Sequence, residues 1–169
     1  MALKEVSTPE FLDCMEAALT GNRHRESVDI PSGSDLVGSM LLVNDSETAG
    51  LALRYDGYVH AVFSAGHGAA GELLEYVTHA YKGLWLDAFN DKTHGLVKLY
   101  NRYGFAVVAT VELNRDYNPP ATATGVVVMV QDGKDAPVKT FDKNGYDEAM
   151  LYGSRVAEVS YARSLVALH

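Results

Sequence analysis

The chain has 169 residues, a one-domain length, with 47% hydrophobic and 21% charged residues, so it can bury a core without disulfide or metal staples. A formal net charge of -8 argues against a general nucleic-acid or anionic-membrane binder, because nothing offsets phosphate repulsion, though it leaves room for a local basic groove, and it favours cationic partners such as amines. The one cysteine, Cys14, precludes an internal disulfide, and no stretch approaches the roughly 20 apolar residues of a membrane span, so a cytoplasmic protein without membrane contact is expected.

Residues 3–6 read as a short strand. Ser7-Thr8-Pro9-Glu10 reads as a helix start, with proline in the first turn, and the helix runs to about Leu19 before Gly21. Cys14 falls in its apolar pattern and reads as a buried structural thiol. Residues 22–36 are polar and hold the basic cluster Arg23-His24-Arg25, which predicts a loop with a short helix near 34–38. Met40–Val43, Gly50–Tyr55 and Tyr58–Ser64 predict an antiparallel meander, with Asn44-Asp45 and Asp56-Gly57 as its turns. The period then changes. Ala70, Leu73, Leu74, Val77 and Tyr81 lie on one helical face, ended by Gly83. Leu84–Phe89 reads as a strand. Leu96, Leu99, Tyr100 and Tyr103 mark a second such helix, capped by Gly104. Phe105–Leu113 and Gly125–Val130 are β-branched runs expected to form a hairpin pair, and residues 146–167 read as a last helix. The order β-α-(α)-β-β-β-α-β-α-β-β-α is a mixed α/β arrangement in a single domain spanning 1–169.

The turn Gly66-His67-Gly68-Ala69-Ala70-Gly71 joins an apolar strand to an amphipathic helix. A helix start offers unpaired N–H groups and partial positive charge, and glycine lets backbone approach a phosphate. A diphosphate ligand and a tight packing turn are both compatible with it. Gly66, Gly68 and Gly71 spell G-x-G-x-x-G, and Asp87 lies about 20 residues on, as in a dinucleotide fingerprint. Such a domain needs a parallel sheet, whereas here a meander precedes the turn and a hairpin pair follows.

Leu99-Tyr100-Asn101-Arg102-Tyr103-Gly104-Phe105 resembles the LYxKxGF signature of the Gcn5-related N-acetyltransferase (GNAT) family. Gly68-x-Ala70-x-x-Leu73-Leu74 is similar to that family's G-x-G/A-x-x-L-L, and Leu86-Asp87-Ala88 to the strand after it. The close match covers about residues 58–113. It implies a GNAT-like fold, mostly antiparallel, with strand four (58–64) splayed from strand five (84–89) and an extra C-terminal helix. It further implies acetyl-CoA as co-substrate. Pantetheine would pair with the backbone of Val62, Phe63 and Ser64, and pyrophosphate would take N–H groups from Gly66, His67, Gly68, Ala69, Ala70 and Gly71. A strand-four N–H would stabilise the oxyanion. An amine would attack the thioester directly, with Tyr100 donating a proton to the leaving thiolate as a phenol neutral at pH 7.

Tyr100 also lies on the apolar face of its helix, where a core aromatic is the alternative reading. His60 on strand four and Asp87 on strand five are candidate bases, each with a structural alternative. His67 and His94 are placed to contact phosphate or solvent. Ala65 stands where the family usually has Gln or Arg, and Thr93 where it often has asparagine. Thr93 thus counts among the cofactor contacts, while its own chemistry reads as an N-cap. The acceptor amine would be held by loops 22–38 and 114–124, which carry both charge signs. The last helix is expected to pack on the sheet or on a second copy in a homodimer. Two other functions stay open: a GNAT-fold binding protein without catalysis, and a dinucleotide-binding enzyme using Gly66–Gly71 and Asp87.

Overall fold

A computed structural model describes residues 3–20, 30–66, 68–93 and 95–167. Their elements are of the mixed α/β class read from the sequence: four helices and eight strands, the strands in two four-stranded sheets. The chain divides into two compact units, Met1–Ala80 and Tyr81–His169.

The first unit holds β1 (Leu3–Glu5), α1 (Thr8–Leu19), β2 (Ser39–Asn44), β3 (Ala49–Arg54), β4 (Val59–Ser64) and α2 (Ala69–Ala80), with a 3-10 turn at Gly33–Leu36. The strands run in chain order, all antiparallel, so β4 forms an edge. α1 starts where Ser7 caps it, its hydroxyl accepting from the Glu10 N–H. The buried side of α1 (Phe11, Cys14, Met15 and Leu19) packs with Val43 and Phe63 in one core. Burial raises the Cys14 thiol above its ordinary value, as befits a structural cysteine. Phe63 meets Phe11 edge-on at 5.4 Å and lies over Gly50, where a Cβ would come 2.7 Å from the ring. α2 buries Leu73, Leu74 and Val77, the stripe read from the sequence; it ends at Ala80, so Tyr81 lies just beyond it.

A bulge interrupts β4. Gly50 pairs with Phe63 and Ala52 with His60, which leaves Leu51 opposite both Ala61 and Val62. Ala61 takes up the extra residue in the left-handed region at φ 51°. A non-glycine residue there costs about 1–2 kcal/mol, and it persists because β4 is held on both sides of it.

The second unit holds β5 (Trp85–Asn90), α3 (Leu96–Arg102), β6 (Phe105–Val111), β7 (Gly125–Gln131), β8 (Lys139–Phe141) and α4 (Tyr146–Ala167), in sheet order β5-β7-β6-β8. β7 pairs antiparallel with both neighbours, as expected of the two β-branched runs. β8 was not anticipated. It adds parallel to β6 through only three residues, Lys139, Thr140 and Phe141, too few to show a period. α4 covers the sheet through small side chains: Ala149, Gly153 and Ala157 are buried. A Cβ at Gly153 would come 2.4 Å from Val128 on β7.

Candidate functional site

In the first unit, the glycine turn follows the edge strand β4 and leads into α2. Gly66 and Gly68 have φ 100° and 81°, and a Cβ on either would meet nothing within 4 Å. Backbone conformation, not crowding, therefore requires glycine at these positions, and open space lies beside them. The turn already uses some of its donors. The Gly66 N–H donates to Ser64 Oγ (3.0 Å), the Ala69 N–H to the Gly66 carbonyl (3.2 Å), and the Glu72 N–H to the Gly68 carbonyl (3.2 Å). Ala70 and Gly71 lie in the first turn of α2, where helix geometry supplies no partner from within the helix. Glu72 adds a negative charge to that same turn. His67 lies outside the described residues, as do His94 and the cluster Arg23-His24-Arg25.

Val62 and Ser64 are half-buried, whereas the Phe63 side chain belongs to the core, so only its backbone is available to a ligand. The Ala65 N–H bonds the Thr48 carbonyl on the β3 side. By the alternation of an antiparallel pair, the backbone groups of Phe63 face the same way and those of Ser64 face off the sheet edge. His60 stands at the far end of β4 from the glycine turn, beyond the bulge at Ala61. Its Nε2 is 2.9 Å from Ser39 Oγ, and its ring stacks on Tyr58 at 5.2 Å. The Arg54 guanidinium lies 4.7 Å from the centre of the Tyr58 ring and is itself paired with Asp56.

In the second unit, Asp87 on β5 and Tyr100 on α3 come within electrostatic reach of each other. Burial, and after it the Asp87 charge, pushes the Tyr100 phenol well above the usual tyrosine range. The ring lies edge-on to Phe105 at 5.9 Å, and the residue is 6% exposed. No hydrogen bond to its hydroxyl occurs among the described residues. A buried phenol without a partner is costly and calls for an explanation. Asp87 Oδ2 accepts a hydrogen bond from the Tyr146 hydroxyl (2.7 Å) at the start of α4. Sequence reasoning missed Tyr146, because no pattern links residues 59 apart.

Thr93 is not the N-cap expected of it. α3 begins at Leu96 behind Gly95, whose φ of 68° places it in the left-handed region. Thr93 instead sits in a turn organised by Asp91, which is 2% exposed and accepts from the Thr93 N–H (3.0 Å) and the Thr122 hydroxyl (2.7 Å). Asp91 thereby closes a tight side-chain turn onto the backbone two residues on, and its own carbonyl accepts from the Gly95 N–H (3.0 Å).

No group of three or more His, Cys, Asp or Glu side chains placed to hold a metal occurs among the described residues. No helix among them is long and apolar enough to cross a membrane.

No family model matches the chain, and no curated protein matches it. Among solved structures, it is similar to a chain of the NatB acetyltransferase complex bound to a bisubstrate inhibitor, with 17% identity over 82% of this chain and 97% of that one. The TM-score is 0.37, too slight a likeness to carry any functional weight.

Proposed function

We propose that the chain is an N-acetyltransferase that moves the acetyl group of acetyl-CoA to a primary amine, with residues 1–169 acting as one acyl-CoA-binding domain. The observation that carries this reading is the buried Tyr100 hydroxyl, without a hydrogen-bond partner among the described residues, beside the charge of Asp87. A raised phenol stays protonated across the neutral range, so it can act as donor and not as base. It is held in reserve for charge that develops only during reaction. In the reaction proposed, the amine nitrogen bonds to the thioester carbonyl carbon, the carbon–sulfur bond breaks, and the sulfur takes the Tyr100 proton. Asp87 accepts the ammonium proton directly or through water. His60 is the second candidate for that role, but its Nε2 is already engaged with Ser39. The Ala70 and Gly71 N–H groups, with the left-handed glycines before them, suit the pyrophosphate. The edge of β4 suits pantetheine.

One observation favours a second reading, an acyl-CoA-binding protein of the same fold without catalysis. The turn lacks a polar side chain at Ala65 and commits its Gly66 N–H to Ser64. Less supports the dinucleotide reading, which wants a parallel sheet: β4 pairs antiparallel with β3, and β5 antiparallel with β7.

Calorimetry with acetyl-CoA, CoA and NAD, followed by thiol release over a panel of amines, separates these. Binding of both CoA species, none of NAD, and thiol release with at least one amine is the expected outcome. Binding of NAD alone would sink the proposal, and CoA binding with no thiol release from any amine would leave the non-catalytic reading.

A further inference from the structure

The helix α4 presents an unusual division of side chains. Its sheet side is built from small residues, and its larger aliphatic side chains point the other way: Leu151, Val159 and Leu165 are 51%, 52% and 42% exposed. Arg155 and Glu158 lie among them, both exposed, and neither makes an ion pair with a described residue. Residues 151, 155, 158, 162 and 165 recur at alternating steps of four and three, the spacing of a helix–helix seam.

We infer that this face of α4 pairs antiparallel with the same face of a second copy, about a two-fold axis passing between residues 156 and 157. In that register Arg155 stands opposite the partner's Glu158, and the reciprocal pair follows from symmetry. Leu151 meets the partner's Ala162 on either side, a large residue against a small one, and Leu165 lies at the seam's end opposite Glu148 of the second copy. The arrangement of charge selects the occupant. One cation and one anion at equal distances from the axis complement themselves in an antiparallel pair. A parallel pair would set Arg155 against its own copy, with like charges in contact. A lipid surface would strand both charges in an apolar layer. The net charge of -8 on each copy opposes association, so the pair is expected to tighten with added salt until screening weakens the two ion pairs as well.

The pairing of α4 does not depend on the acetyltransferase reading. Sedimentation velocity of the full chain over a concentration series tests it. The wild-type chain is expected to show a concentration-dependent dimer. Glu158→Arg places two arginines opposite two, and its dimer should dissociate at least about tenfold more readily. Adding Arg155→Glu to that variant exchanges the charges and should restore the dimer. Circular dichroism of each variant checks that the helix is intact. A wild-type chain that stays monomeric throughout, as it would if another kind of partner covers this face, overturns the inference. So does a dimer indifferent to Glu158→Arg, or one that the exchanged pair fails to restore.

Discussion

Tyr100→Phe is expected to lower kcat by roughly 10²–10⁴-fold, the range for loss of a positioned acid, while the KM for acetyl-CoA changes little. The same substitution should leave thermal stability unchanged or raise it. The hydroxyl is buried without a hydrogen bond among the described residues, so removing it relieves a desolvation cost on the order of 1–3 kcal/mol and keeps the ring against Phe105. A core tyrosine bonded in the usual way would behave oppositely, losing stability with its hydroxyl. The pH dependence carries the same information. The folded phenol titrates above its unfolded value of about 10, so between the two values the unfolded chain binds fewer protons. Stability therefore falls as pH rises above about 10, and Tyr100→Phe should lack that share of the fall. Steady-state kinetics and denaturant unfolding at neutral and alkaline pH check both parts. A variant of full activity removes Tyr100 from the mechanism.

Gly153→Leu is expected to cost about 3 kcal/mol or more. Its Cβ alone would sit 2.4 Å from a methyl of Val128, which is fully buried on the central strand β7. Val128 is β-branched and held by β5 and β6, so it has little room to turn aside. Gly153→Ala supplies a test of sign. Helix propensity alone predicts a gain of about 1 kcal/mol in the middle of α4. Overpacking predicts a loss of about 1–3 kcal/mol, and we expect it to win by roughly 1 kcal/mol. Thermal unfolding of the two variants decides the matter, and a more stable alanine variant would show that α4 can lift from β7 at little cost.

The parts of the fold visible in the sequence are those governed by period and by turn chemistry. The stripe Leu73, Leu74, Val77 and the Asp56-Gly57 turn state their structure locally, and each forms where expected. The bounds of α4 fall at Tyr146 and Ala167, as read. Three features leave no such trace. β8 is three residues long and owes its existence to β6 beside it. The bulge at Ala61 interrupts the run Tyr58–Ser64, which holds no glycine or proline to mark it, because the extra residue is imposed by pairing with β3. The division at Tyr81 has no linker composition to announce it. The candidate site divides the same way. The glycines of the turn are legible because positive φ demands them. Asp87 and Tyr100 could be singled out one at a time, but their proximity is a property of the folded unit. Thr93 misled because α3 starts later, at Leu96 behind a left-handed Gly95, and Thr93 falls in the turn that the buried carboxylate of Asp91 organises.

The position of β7 has a bearing on how the second unit assembles. This strand is made after β5 and β6, yet it lies between them. Its partners on β5 are 35 to 45 residues away along the chain. Until Gly125–Gln131 is in place, β5 and β6 have no sheet to share, and the chain from β5 to β7 must close on itself before their pairing rewards it. The seat for α4 includes Val128, so the last helix also waits on this strand. The unit should therefore refold at a rate limited by β7 insertion, with α4 docking afterwards. Stopped-flow refolding would reveal a contrary order as helix protection arriving before that of the strands.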